Sequence, residues 1–112
     1  MIDNYKFGEF IVDGKTFNCN IELIGDKVKE HRHLPNHELI LDDFTALVNA
    51  KPSVIIIGTG AYGAVKPPKE IIEFIKKQGI KVIVEKTADA CKTYNSLLKQ
   101  GKKVAALLHN TC

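Results

Sequence analysis

The second half of the chain alternates short apolar runs with segments that are apolar only at helical spacing. Ser53 to Ile57 is apolar without alternation, the pattern of a strand covered on both faces. Pro68 to Gln78 places Ile71, Phe74 and Ile75 on one side of a helix and stops at Gly79, a residue suited to a left-handed cap. Lys81 to Glu85 predicts the next strand, with Val82 and Val84 on one face. Thr87 then stands where it would cap a helix striped by Ala90, Cys91, Tyr94, Leu97 and Leu98, which Gly101 ends. Lys103 to Leu108 predicts the last strand. Strands separated by helices in this way run parallel and are joined by right-handed crossovers.

The first half follows a different grammar. Tyr5 to Leu23 alternates and is interrupted by Asp13-Gly14, a strong hairpin signal, so strands are expected at Tyr5 to Val12 and Lys15 to Leu23. Gly25-Asp26 marks a second turn and Lys27 to His31 a short third strand. His31 to Asn36 is polar and broken by Pro35, an irregular connection. Leu39 to Leu41 forms a small apolar island. Asp42 or Asp43 is then expected to cap a short helix whose apolar face is Phe44, Leu47 and Val48. A hairpin must be antiparallel. The pattern therefore predicts a single α/β domain over residues 1–112: a layered sandwich with a mixed sheet, an N-terminal antiparallel hairpin and a C-terminal βαβαβ unit.

The 112 residues suffice for one core without disulfides or a structural metal. Hydrophobic residues make up 45% and charged residues 26%, ordinary globular usage, and no apolar run is long enough to cross a bilayer. Met1-Ile2-Asp3-Asn4 has neither the basic start nor the apolar stretch of a signal peptide, so a cytoplasmic location is expected and no membrane partner. Cys19, Cys91 and Cys112 are odd in number and lack C-x-x-C spacing, which argues for reduced thiols. The net charge of +3 comes from lysines spread among acids without interleaved aromatics, which argues against a nucleic-acid partner.

Val54 to Gly63 carries the most chemistry. Its letters satisfy G-x-G-x-x-G, the dinucleotide fingerprint, and Glu85 closes the following strand at about the distance expected of a ribose-binding acid. The context differs from that fingerprint, because Pro67-Pro68 should delay the next helix to the neighbourhood of Pro68. The motif also lies in mid-chain, with too few strands behind it for two mononucleotide halves. The glycines thus read as a loop in which positive φ or the close approach of another backbone is required, and no cofactor is expected. With the late strands parallel, Gly58 to Gly63, Glu85 to Thr87 and His109 to Asn110 gather on one sheet edge, where open sheets bind ligands. Free loop amides, Lys86 and the amino end of the helix after it would make a site for a small anion, with Gly58, Thr59, Gly60, Lys86 and Thr87 as its ligand-binding residues.

Other chemistry is thinner. His31, His33 and His37 resemble a metal cluster but lack a further ligand at a recognisable spacing, so they read as imidazoles of a solvated loop and no metal is assigned. Asp42 and Asp43 diverge on a helix and are better explained by capping. Cys91 lies on the apolar stripe of its helix and reads as a small core hydrophobe without a histidine base. No catalytic residue is assigned.

Ile56-Ile57-Gly58-Thr59-Gly60, the run Thr87-Ala88-Asp89-Ala90-Cys91-Lys92-Thr93-Tyr94-Asn95-Ser96-Leu97, and the glycine before the last strand together resemble the Mth938-type domain family. Phe7-Gly8, Gly14 and the His37 to Leu39 segment extend the likeness over the whole chain. The resemblance implies a three-layer α/β domain with a mixed sheet, no established catalytic activity, and members that bind other proteins, a mitochondrial complex I assembly factor among them. Two departures stand out: Gln100-Gly101-Lys102 replaces the family's Glu-Gly-Arg, and the chain has no tryptophan. Any role resting on that arginine's bidentate grip is absent here. The leading expectation is a non-catalytic cytoplasmic domain that acts through a protein partner or self-association. The alternative is a small-molecule or anion-binding protein, or an enzyme, with its site at the Gly58–Gly63 loop.

Overall fold

A computed structural model describes residues 1–112. Two sheets and three α-helices form the fold. Strands β1 (Ile2–Lys6), β2 (Glu9–Val12) and β3 (Lys15–Phe17) make a small antiparallel sheet in that order. Strands β4 (Ile21–Ile24), β5 (Lys27–Glu30), β6 (Val54–Gly58), β7 (Lys81–Glu85) and β8 (Val104–Leu108) make a larger one, ordered β5-β4-β8-β6-β7. In the larger sheet β6 runs parallel to both β7 and β8, and β4 is antiparallel to β5 and β8. The mixed sheet, the antiparallel N-terminal hairpin and the βαβαβ unit stand as the sequence implied.

The five-stranded sheet is the middle layer. Along β6 and β8, where every residue is buried, the period of two sends Val54, Ile56, Val104, Ala106 and Leu108 to one face and Ile55, Ile57, Ala105 and Leu107 to the other. The first face is covered by α3 (Thr87–Lys99), through Ala90, Cys91 and Tyr94, and by Phe10, Val12 and Phe17 of the small sheet. The second is covered by α2 (Lys69–Lys77), through Ile71 and Ile75, and by Leu34, Leu39, Phe44 and Leu47 of the segment that includes α1 (Thr45–Asn49). The late helices therefore lie on opposite faces. From β6 the chain steps outward to β7, then doubles back past β6 to β8. Crossovers of one hand that step in opposite directions must use opposite faces.

Three expectations are corrected. Tyr5 to Val12 is not one strand, because Phe7 and Gly8 turn the chain, with Gly8 at φ 83°, and Ile2 to Lys6 pairs back on Glu9 to Val12. Lys15 to Leu23 is likewise divided: β3 ends at Phe17, and the chain leaves the small sheet to join the large one at Ile21. Neither Asp42 nor Asp43 is the N-cap of α1, a position held by Phe44. Both lie in a short 3-10 turn, Leu41–Phe44, that precedes α1, and the Asp43 carboxylate accepts the Ile40 amide at the start of that turn at 2.8 Å.

Candidate functional site

The carboxyl ends of β6, β7 and β8 converge, and Thr87 joins them. Its hydroxyl donates to the His109 carbonyl and accepts the Gly60 amide, both at 2.8 Å, and the residue is fully buried. Around it, His109 N–H donates to the Gly58 carbonyl at 2.9 Å, Thr59 N–H to Glu85 at 2.9 Å and Thr87 N–H to Gly60 at 3.1 Å. Thr87 is thus not the cap of α3. That position is Lys86, which makes no side-chain capping bond, and the threonine hydroxyl serves the neighbouring strand ends instead. Gly58 is required by closeness, since a Cβ there would stand 2.8 Å from a Leu108 methyl and 3.0 Å from the Thr87 hydroxyl.

The glycine loop is not the start of a helix. Helical turns open only at Lys69, behind Pro68, so the proline pair does separate the loop from α2. Its amides are not free, which corrects the picture of an open anion seat. Ala61 N–H donates to the Thr111 carbonyl at 2.6 Å, Ala64 N–H to Cys112 at 2.8 Å and Val65 N–H to Thr59 at 3.0 Å. Residues 111–112 run alongside the loop, and Gly60, at φ 105°, lies so near them that a Cβ would overlap the Cys112 carbonyl carbon. Of the charged groups there, Lys66 donates to the Gly63 carbonyl at 2.8 Å, while the exposed Lys86 side chain passes beside Gly63. Two aromatic rings project from this edge: Phe7 and Tyr62, 53% and 75% exposed, with ring centroids 6.1 Å apart. The Phe7 turn is held to the edge by Gly8 N–H donating to the Asn110 carbonyl at 3.0 Å.

One polar pair on the edge is buried without partners. His109 and Asn110 are 4% and 5% exposed, and neither ring nitrogen of His109 nor the Asn110 side-chain oxygen meets a hydrogen-bonding group. Both residues line a hollow of about 150 Å³ with Cys19, Asn20, His33 and Thr111, and the His37 ring stands edge-on to His109 at 5.4 Å. Burial, and then the charges of His37 and His33, push the His109 pKa down. The neutral ring offers one donor and one acceptor. The backbone here is fixed: Asn110 N–H donates to the Asn20 side chain at 2.7 Å, and Tyr5 O–H to the Asn110 carbonyl at 3.0 Å. The signal in the sequence is a polar His109-Asn110 directly behind a fully apolar strand.

A second cluster lies across the sheet. His31, read from sequence as a solvated imidazole, is half-buried between two carboxylates, with Nδ1 3.3 Å from Glu22 and Nε2 2.9 Å from Asp43. Arg32 grips Asp43 with two donors, Nε at 2.7 Å and Nη2 at 2.8 Å. Burial opposes ionisation of Asp43, but the Arg32 guanidinium, the Ile40 amide and His31 outweigh it and hold the carboxyl below its usual range. Both His31 nitrogens are occupied. The cluster ties the 31–43 connection to β4. Cys91, as the stripe implied, faces the core, and burial pushes its thiol up to about 12.

A family model described as a protein of unknown function (DUF498/DUF598) matches residues 2–109. The chain belongs to this family. It is 32% identical over 106 residues to the 13 kDa major membrane protein of Francisella tularensis subsp. holarctica (strain LVS), a match covering 93% of this chain and 85% of that one. It is 24% identical over 109 residues to human NADH dehydrogenase [ubiquinone] 1 alpha subcomplex assembly factor 3, covering 96% of this chain but only 59% of that protein. Among solved structures, the protein named MT938 superposes with a TM-score of 0.84 at 26% identity over 100% of this chain and 98% of that one, so the Mth938-type resemblance holds. No helix is long and apolar enough to cross a membrane.

Proposed function

We propose that this member of the family is a non-catalytic, cytoplasmic protein-contact domain that binds a partner through the Phe7–Tyr62 edge. The observation that carries the reading is the exposed aromatic pair, 53% and 75% accessible, with Phe7 on the β1–β2 turn and Tyr62 on the glycine loop, whose amides at Ala61, Ala64 and Val65 are already bonded within the chain. Aromatic rings held on a fixed backbone give large contact area at small entropic cost and recur as anchors of interfaces. The assembly role of the human relative agrees with it. The test is a native affinity purification run in parallel on the wild type and a Phe7→Ala/Tyr62→Ala variant of unchanged melting temperature. A stoichiometric protein recovered with the wild type and lost with the variant supports the reading. Equal recovery from both, or none from either, overturns it.

A second reading, a small-molecule site on the same edge, has its own support in the unpartnered His109 and Asn110 groups facing the hollow beside His33. Its ligand would be small and neutral, with one donor and one acceptor for the ring. An anion at Gly58, Thr59, Gly60, Lys86 and Thr87 is supported only by the Lys66 and Lys86 ammonium groups near Gly63. A thermal-shift screen separates the two, since a ligand at a hundred times its dissociation constant adds about 2.7 kcal/mol. Stabilisation by neutral amides and lost in His109→Ala selects the hollow, stabilisation by phosphates and lost in Lys86→Ala selects the loop, and a flat screen removes both.

A further inference from the structure

The five-stranded sheet has two free edges, and the chain treats them differently. On β5 the lysines at 27 and 29 flank the single half-buried Val28, the charged guarding that keeps a strand edge from pairing. On β7 the sequence Lys81-Val82-Ile83-Val84-Glu85 keeps three adjacent β-branched residues inside and charges only at its ends. The equivalent residues of β6 and β8 are fully buried, whereas Val82 and Ile83 are half-buried and Val84 is 42% exposed. Phe74, on the helix that packs against β7, is exposed as well.

The direction of the free backbone groups follows from the pairing with β6. Lys81 N–H donates to Ser53 and Glu85 C=O accepts from Thr59, so in a parallel ladder Lys81, Ile83 and Glu85 face β6. The N–H and C=O groups of Val82 and Val84 then point outward.

We propose that a second copy of this chain docks here, β7 pairing antiparallel with β7 of its partner about a two-fold axis at Ile83. In that register Val82 and Val84 of the partner subunit exchange both backbone bonds, and symmetry repeats the pair, giving four hydrogen bonds across the interface. Ile83 meets its own counterpart. Lys81 falls opposite Glu85 of the partner subunit on the same face, twice. That charge complementarity picks the occupant and the register, since a slip of two residues would set Lys81 against Ile83. Glu85 is already steadied by the Thr93 hydroxyl, which donates to one carboxylate oxygen at 2.7 Å and leaves the other for the lysine. The result is a continuous ten-stranded sheet with β5 at both ends. A joint of five residues is smaller than a standard stable interface, so the dimer is concentration-dependent. The interface stands independently of the Phe7–Tyr62 edge.

Charge reversal tests it. Sedimentation velocity over a wide concentration range should show a monomer–dimer equilibrium for the wild type. Lys81→Glu alone and Glu85→Lys alone place like charges opposite each other and should stay monomeric, while an equal mixture of the two should form a 1:1 heterodimer. Val84→Pro, which removes an outward N–H that the fold itself does not use, should be a folded monomer. Phe7→Ala/Tyr62→Ala should dimerise like the wild type. A strictly monomeric wild type, a Lys81→Glu variant that dimerises as the wild type does, or a mixture that stays monomeric would each overturn the proposal, and a wild type that elutes only with a foreign strand-donating protein would assign β7 to a different occupant.

Discussion

Replacing Thr87 by valine keeps its shape and removes only the hydroxyl that joins three strand ends. The wild-type oxygen donates to the His109 carbonyl and accepts the Gly60 amide at 2.8 Å each, in a residue with no exposure, so water cannot replace it. Two buried backbone groups lose their partner. At about 1–3 kcal/mol for each unsatisfied group, the expected destabilisation is roughly 2–6 kcal/mol. For a domain of this size that corresponds to a fall of about 8–25 °C in melting temperature. Scanning calorimetry of Thr87→Val beside Thr87→Ser makes the comparison specific, because serine keeps both hydrogen bonds and loses only a methyl group, about 1 kcal/mol. The valine variant should be clearly the less stable of the two. If it melts within a degree or two of the wild type, or above the serine variant, the hydroxyl does not hold the edge together and the geometry derived for the glycine loop is wrong.

Three further outcomes follow from the same structure. Gly60→Ala should cost more than about 2 kcal/mol in chemical denaturation, because it combines an unfavourable φ with displacement of residues 111–112; Gly14→Ala, with φ 81° and open space around it, should cost only about 1 kcal/mol, and equal costs would contradict the close approach. Asp43→Asn should lose about 1–3 kcal/mol at neutral pH. Because the folded-state pKa of Asp43 lies below its ordinary 3.8, its contribution is present above that value and disappears as the pH falls through the folded value; urea midpoints of variant and wild type should therefore draw together as the pH is lowered beneath 3.8, and a constant gap would refute the Arg32 pairing. Cys91, buried with its thiol pushed up to about 12, should react with a thiol reagent only on unfolding, after the partly exposed Cys19 and Cys112; three equally fast thiols would contradict its place in the core.

The second half of the chain was legible because each of its elements carries its own signal. Ser53 to Ile57 is apolar at every position since both faces are covered, and Ile71 and Ile75 lie at helical spacing because α2 covers only one. Pro67-Pro68 placed the helix start by local sterics alone. The first half was harder, since its punctuation depends on partners distant in sequence. Phe7-Gly8 is a turn only because Ile2 to Lys6 has β2 to pair with, and Asn20 breaks the long strand by holding the Arg32 carbonyl and the Asn110 amide. His31 and Asp43, taken singly, each read as a polar side chain facing water. Their bond is set by a fold that returns the chain twelve residues later. The candidate edge follows in outline from the parallel strands, but the state of its amides does not, because residues 111–112 give no sign in sequence of running back along the loop.

The proposal that the edge binds through its aromatic rings depends on the loop's amides being bonded within the chain. The direct measurement is an amide-resolved NMR titration of the ¹⁵N-labelled protein with inorganic phosphate and with nucleotides, combined with hydrogen exchange. The Gly60, Ala61, Ala64 and Val65 amides should be protected from exchange and show no saturable shift. Rapid exchange at these positions together with saturable shifts on adding phosphate would contradict the account.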